Sequence, residues 1–285
     1  MYNLRIVSPD GSELRLGRAQ SAYRLTEING MDALPVKITS SQGFGQVGVT
    51  HSALALEARA IDITGTIDNF TGAQLRKLSR AFLPLTSVRV YFEDRYFLDC
   101  TVKESIKFSP DLRRMLFNVA LEAAYPYWRK AEETSCRLGG LVGGFTFPAE
   151  LDTHQYADFS DSLFLNCVNG GDAETDFAAE ITARSGTCSG ITILNVETRE
   201  YLKIDDSVSA SSRISIFREN GLLRVIKTEN GADSDIFSKL DENSSLFSLH
   251  VGDNVLRASS EEGDDSLLMV SVRYYETVTG VHYGL

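Results

Sequence analysis

The sequence has no apolar run approaching the roughly 20 residues needed to cross a bilayer, so an integral membrane protein is not expected. Cysteine is scarce: Cys100, Cys136, Cys167 and Cys188 form no C-x-x-C pair and have no histidine at ligand spacing. That pattern argues against a disulfide scaffold and a zinc site, and the four read as free thiols. His51, His154, His250 and His282 stand apart, none with a partner at i+4. Neither a G-x-S-x-G turn nor a Cys/His signature sets a nucleophile beside a base. No catalytic residue, cofactor or metal ligand is therefore assigned, and the chain is expected not to be an enzyme. The opening residues Met1–Val7 meet Ser8-Pro9-Asp10-Gly11 too soon to build the apolar stretch of an export signal, and none is expected there.

What is present is the composition of a globular protein, 285 residues with 43% hydrophobic and 24% charged side chains. A chain of that size can form two ordinary cores. Charge divides it: residues 1–133 hold 17 Lys+Arg and 15 Asp+Glu, against 11 and 24 in residues 134–285, for net charges of +2 and −13. An acidic second half repels nucleic-acid phosphates and anionic lipid, so neither DNA nor membrane is expected to bind it.

Period-two alternation dominates the pattern. Leu4, Ile6 and Val7, the Pro9-Asp10-Gly11 turn, then Leu14 and Leu16 predict an opening hairpin. Leu34–Thr39 and Ile61–Ile67 read as half-buried strands, and more strands are expected at Ser87–Phe92, Tyr96–Ile106 and Met115–Ala123. One segment breaks the period. Leu75, Leu78 and Phe82 share a helical face behind Thr71, whose hydroxyl can cap while Gln74 answers from three residues on; Pro84 ends it. Periodicity then lapses around the glycine-rich Arg137–Gly144, where the charge balance also changes, and a boundary is placed near residue 135. Beyond it, turn signals such as Asn169-Gly170-Gly171-Asp172, Asn230-Gly231 and Glu262-Gly263-Asp264 separate short strands, as in an antiparallel sandwich. The clearest hairpin sets Arg213–Arg218 against Leu222–Thr228 across Asn220-Gly221.

Two motifs tempt. Gly43-Phe44-Gly45-Gln46-Val47-Gly48 matches G-x-G-x-x-G, but no helix opens at the third glycine: Leu54–Ile61 runs on into a strand. The segment reads as a loop or arm. The acidic clusters Asp233-Ser234-Asp235 and Glu261-Glu262-Gly263-Asp264-Asp265 lack calcium-loop spacing and read as solvated turns at strand ends, not as a metal site or a glycosidase pair.

The stretch Gly72–Pro84, followed by two strands and then Phe117–Arg129 with its Tyr125-Pro126-Tyr127-Trp128-Arg129 ending, resembles the distal tail proteins of long-tailed bacteriophages. Asn166–Thr175, Gly190–Asn195, Tyr201–Asp205 and Phe247–Asn254 resemble, in order, that family's galectin-like second domain. The likeness runs from about Leu4 to Tyr275. It implies an all-β fold with one short helix: a β-sandwich-like, ring-forming tail-hub domain over residues 1–134, then a galectin-like antiparallel β-sandwich over 135–285. It further implies a structural virion protein of a phage or prophage, assembled in the bacterial host cytoplasm. Its copies would join edge to edge into a hexameric ring at the far end of the tail. The tail tube protein would lie on one side and the tip, fibre or lysin protein on the other. The tape-measure protein and then DNA would pass through the channel, and no membrane would be engaged. A long glycine-bearing arm such as Ser40–Thr50 is what strand pairing between subunits would use. Trp128 and Tyr125 are expected to pack the first core. The alternative function is a carbohydrate-binding module used in adsorption. Sugar stacking needs an exposed ring; Trp128 lies before the boundary, and Tyr156, Tyr201, Tyr274 and Tyr275 are the substitutes.

Overall fold

The computed structural model describes residues 3–17, 22–111, 113–138, 141–143, 157–159, 164–219, 221–245 and 247–281. His154, Tyr156, Asn220, His282 and the glycines at 139, 140 and 144 lie outside the described residues. The described chain is almost entirely β, with one α-helix, and divides into two compact units.

The first unit opens with the expected hairpin, β1 (Leu4–Val7) against β2 (Glu13–Leu16). Gly11, at φ +79°, turns the corner, and the Asp10 carboxylate accepts from the Ser12 N–H at 3.0 Å. There follow β3 (Arg24–Asn29), β4 (Val36–Ser41), β5 (Thr50–Leu56) and β6 (Arg59–Asp68), then α1 (Gly72–Ala81). The unit continues with β7 (Ser87–Phe92), β8 (Tyr96–Val102), β9 (Lys107–Asp111), β10 (Arg114–Ala123) and β11 (Trp128–Lys130). The main sheet is antiparallel in the order β2-β1-β7-β8-β10-β6-β3, with β9 along the first half of β10.

Alternation explains the core. On β10, Met115, Phe117, Val119, Leu121 and Ala123 point inward, and β6 sets Ile67, Ile63 and Ile61 opposite three of them. Each such aliphatic side chain contributes about 1.5–3 kcal/mol on burial. Phe117 stands opposite Gly65, where a Cβ would lie 2.3 Å from the Phe117 ring and 2.6 Å from the Arg24 carbonyl oxygen. The strand accepts a glycine there because the ring needs the space. In α1 both arms of the capping box are made: the Thr71 hydroxyl accepts from the Gln74 N–H at 3.3 Å, and the Gln74 side chain accepts from the Thr71 N–H at 2.8 Å.

Residues Glu133–Glu276 form the second unit. Its strands are β12 (Thr134–Leu138), β13 (Leu141–Gly143), β14 (Ala157–Phe159), β15 (Phe164–Asn169), β16 (Phe177–Ala183) and β17 (Thr187–Asn195). They continue as β18 (Tyr201–Ser209), β19 (Ser212–Glu219), β20 (Leu222–Glu229), β21 (Ala232–Asp235), β22 (Gly252–Ser259) and β23 (Leu268–Tyr274). A six-stranded sheet, β12-β23-β16-β19-β20-β21, and a four-stranded sheet, β15-β22-β17-β18, send alternate side chains into one shared core, the sandwich expected from the turn spacing. The predicted hairpin is β19 against β20, with Arg213 opposite Thr228.

Three details differ from the sequence reading. The last strand, β24 (Thr277–Val278), pairs with β11, and Val281 is fully buried in the first core, so this stretch belongs to the first unit and not to a domain ending the chain. A two-residue strand carries no period by which sequence could place it. Asp233-Ser234-Asp235 is not a turn but the exposed edge strand β21, paired with β20. Leu34–Thr39 does contain a strand, yet β4 is exposed along its whole length. Alternation sorts side chains onto two faces, but it does not guarantee a core beneath either.

Candidate assembly interface

Among the described residues the strands β4 and β5 pair only with each other, in a two-stranded sheet separate from the main one. Val36 stands opposite Leu56 and Ile38 opposite Leu54, so these four side chains share one face of the ribbon. They are exposed by 55%, 45%, 54% and 69% respectively. The opposite face carries Lys37, Thr39, Ala53 and Ala55. The tip adds Phe44, Val47 and Val49, all exposed. It contains the glycine motif, with Gly45 and Gly48 at positive φ and open space around both, not at the start of any helix. Hydrogen bonds knit the tip: Gly43 N–H donates to the Gln46 side chain at 2.9 Å, and Gln46 Nε2 to the Thr50 hydroxyl at 2.9 Å. At the base, Glu57 N–H donates to the Pro35 carbonyl at 2.9 Å.

An isolated two-stranded ribbon is marginal in water. One that also presents a row of aliphatic side chains is a surface for something else to cover.

The root of this arm is fixed by a buried cation. Arg59, 1% exposed, follows the arm at the start of β6. Its Nη1 donates to the Gly30 and Met31 carbonyls at 2.8 and 2.9 Å, ahead of the arm. Its Nε donates to Pro126 O at 2.5 Å and its Nη2 to Thr279 O at 2.6 Å. Burial lowers the Arg59 pKa from its ordinary value, with the Asp32 carboxylate opposing. Trp128 Nε1 also donates to Met31 O, at 3.2 Å. Gly30 enters this cluster at φ +87°, with the Ala60 carbonyl where a Cβ would be. Sequence reasoning missed Arg59, because one arginine in a strand looks like any other until its four carbonyl partners, from three separate stretches, are assembled.

The structure places the remaining sequence candidates apart. Trp128 is fully buried in the first core as expected. Tyr125 is not: it is half-buried, its ring 5.6 Å from that of Tyr127 and under the Arg129 guanidinium at 4.7 Å. His51 is exposed on β5, and His250 Nε2 lies 3.0 Å from a Glu197 carboxylate oxygen. Tyr274 is core, with its hydroxyl donating to Val168 O. Half-buried Tyr201 lines an open groove of about 420 Å³ on the four-stranded sheet with Lys203, Asp241 and Arg257. Lys203 is tied there to Glu261 at 2.8 Å. In the Glu261–Asp265 cluster, Asp264 caps the Ser266 N–H and Asp265 accepts from Ser260. Among the described residues no group of three His, Cys, Asp or Glu side chains is arranged to hold a metal, and no helix is long and apolar enough to cross a membrane.

Two β-rich units, the first carrying one helix and an amphipathic hairpin, make a fold that solved phage proteins share. In particular, the fold is similar over 96% of this chain and 98% of the other to the SPP1 Dit (gp 19.1) protein, described as a paradigm of the hub adsorption apparatus in phages infecting Gram-positive bacteria, at 14% identity and a TM-score of 0.68. Chains of the phage P2 baseplate in its activated conformation are also similar. One, from the structure with calcium, covers 99% of this chain and 100% of its own at 9% identity and a TM-score of 0.57. Another, from the structure with strontium, covers 96% and 98% at 10% identity and a TM-score of 0.54. No protein-family model and no curated protein matches the sequence. The resemblance drawn from Gly72–Pro84 and Tyr125–Arg129 therefore holds at the level of the fold.

Proposed function

We propose that the chain is a structural, non-enzymatic virion protein of a long-tailed phage or prophage. It forms a ring-shaped hub at the distal end of the tail that joins the tail tube to the adsorption apparatus. The observation that carries this is the likeness of both units, in one order and across nearly the whole chain, to hub and baseplate proteins. The arm supports it: burying Val36, Ile38, Leu54 and Leu56 against a neighbouring copy would contribute about 1.5–3 kcal/mol each, and the edge of the ribbon offers unpaired backbone groups to a neighbour's strand. In this reading the ring is a homohexamer, its second unit is galectin-like, and the tape-measure protein and DNA pass through the channel. The tail tube lies on one side and the tip, fibre or lysin protein on the other. Assembly takes place in the host cytoplasm.

Negative-stain electron microscopy of the purified chain at high concentration tests the proposal. Closed rings of about six subunits with a central channel are expected. A chain that stays monomeric at high concentration, and also when mixed with a phage tail-tube protein, overturns it.

A further inference from the structure

The second unit brings two thiols together from opposite sheets. Cys136 lies on β12, opposite Val272 of β23 in the six-stranded sheet. Cys167 lies on β15, opposite Asn254 of β22 in the four-stranded sheet. The Cα atoms of β12 and β15 approach within 8 Å, and the two thiols lie close enough for each to shift the other's pKa. Cys136 Sγ is also 3.9 Å from the Tyr274 hydroxyl, which anchors itself on Val168 O at 2.8 Å. A disulfide needs its two Cα atoms about 4.4–6.8 Å apart, a range that so close an approach of two strands admits.

We propose that Cys136 and Cys167 form a dithiol site that closes into a disulfide between the two sheets, by exchange with a small-molecule disulfide such as oxidised glutathione. This goes beyond the tail reading and does not depend on it.

The two thiols have distinct roles. Cys136 is partly exposed, whereas Cys167 is fully buried, so Cys136 meets the oxidant first. The neighbouring Cys167 thiol lowers the Cys136 pKa to about 7 against the opposing effect of burial. The same pairing, together with burial, raises that of Cys167. The thiolate is the reactive form of cysteine, and this lowering favours it at Cys136 over the other three thiols. The thiolate attacks one sulfur of the small disulfide; that S–S bond breaks, and the leaving thiolate takes up a proton. Cys167 then gives its proton to solvent and attacks Cys136 Sγ, releasing the second small thiolate, which is protonated in turn. Two protein thiols and one small disulfide become one protein disulfide and two small thiols, with Cys136 and Cys167 oxidised and the glutathione reduced. The other two cysteines lack this arrangement. Cys100 is buried in the first core and Cys188 in the second, and burial raises the pKa of both.

Peptide mapping by mass spectrometry without reduction, after incubating the full chain with oxidised glutathione at pH 7.5, tests the proposal. The expected product is a Cys136–Cys167 crosslinked peptide as the main oxidised species, reversed by dithiothreitol. Closing the loop from 136 to 167 is expected to raise the Tm by roughly 5–10 °C. Cys136→Ser and Cys167→Ser should each abolish the crosslink, while Cys100→Ser should leave it. The wild-type measurement needs no variant to fold. Persistent glutathione on Cys136 without closure, both thiols still reduced, or a crosslink that forms only in urea would each overturn the site.

Discussion

Arg59 and Trp128 share one acceptor, the carbonyl oxygen of Met31, which receives Arg59 Nη1 at 2.9 Å and Trp128 Nε1 at 3.2 Å. Both donors are buried, and the shared carbonyl sits between β3 and the arm. Replacing Arg59 by Met keeps much of the bulk but orphans the Pro126, Gly30 and Thr279 carbonyls together. Each unsatisfied buried acceptor costs about 1–3 kcal/mol, so Arg59→Met is expected to lose roughly 3–5 kcal/mol. Urea unfolding of the two proteins measures it. Trp128→Phe, which removes a single hydrogen bond and part of a ring, should cost less.

Gly65→Ala forces a methyl group against Phe117 and the Arg24 carbonyl, and overpacking of this kind costs about 1–3 kcal/mol. Adding Phe117→Leu to the same chain relieves the ring contact but not the backbone one. The double variant should therefore be more stable than the sum of the singles predicts, a non-additivity that a thermal double-mutant cycle reads directly.

The arm offers a separation of stability from assembly. Ile38 and Leu54 face each other across the ribbon with no core beneath them. The double variant Ile38→Asp, Leu54→Asp should change the unfolding free energy of the monomer by no more than about 0.5 kcal/mol. It should nonetheless abolish rings in electron microscopy. Loss of both folding and rings would place these side chains in a core that the structure does not show.

Asp206 gives a pH dependence. Burial pushes its carboxyl up, but the Ser207 N–H and the Lys227 ammonium, 3.1 Å away, outweigh burial and hold the pKa below the ordinary carboxylate value. A carboxylate depressed in the folded state contributes stability that is full above its unfolded pKa of about 3.9 and is lost as pH falls through the folded value. Between about pH 4 and pH 2 the wild type should lose stability more steeply than Asp206→Asn. Parallel acid limbs in urea midpoints for the two proteins would contradict this.

Much of the fold was legible because its signals are local. The helix announced itself through Thr71 and Gln74, three residues apart, and the β19–β20 hairpin through two alternating runs around one turn. What escaped was set by partners distant in sequence. Val36 and Ile38 alternate as a half-buried strand does, and only the absence of a facing layer distinguishes β4 from β6. Cys136 and Cys167 read as isolated thiols because strands that meet across a sandwich carry no mark of their meeting. Tyr125 and Trp128 sit in one five-residue motif, yet only Trp128 turns inward.

The return of β24 to the first unit has a consequence for the order of events during synthesis. All of the second unit, through Glu276, is encoded ahead of Thr277, Thr279 and Val281. Yet Arg59 waits for the Thr279 carbonyl, β11 for its partner strand and the first core for Val281. The earlier-encoded unit therefore stays incomplete until the whole of the later-encoded one has been synthesised. A chain cut after Glu276 would keep every strand of the second unit yet leave the arm root of the first one open, so the integrity of the first unit is read at the far end of the sequence.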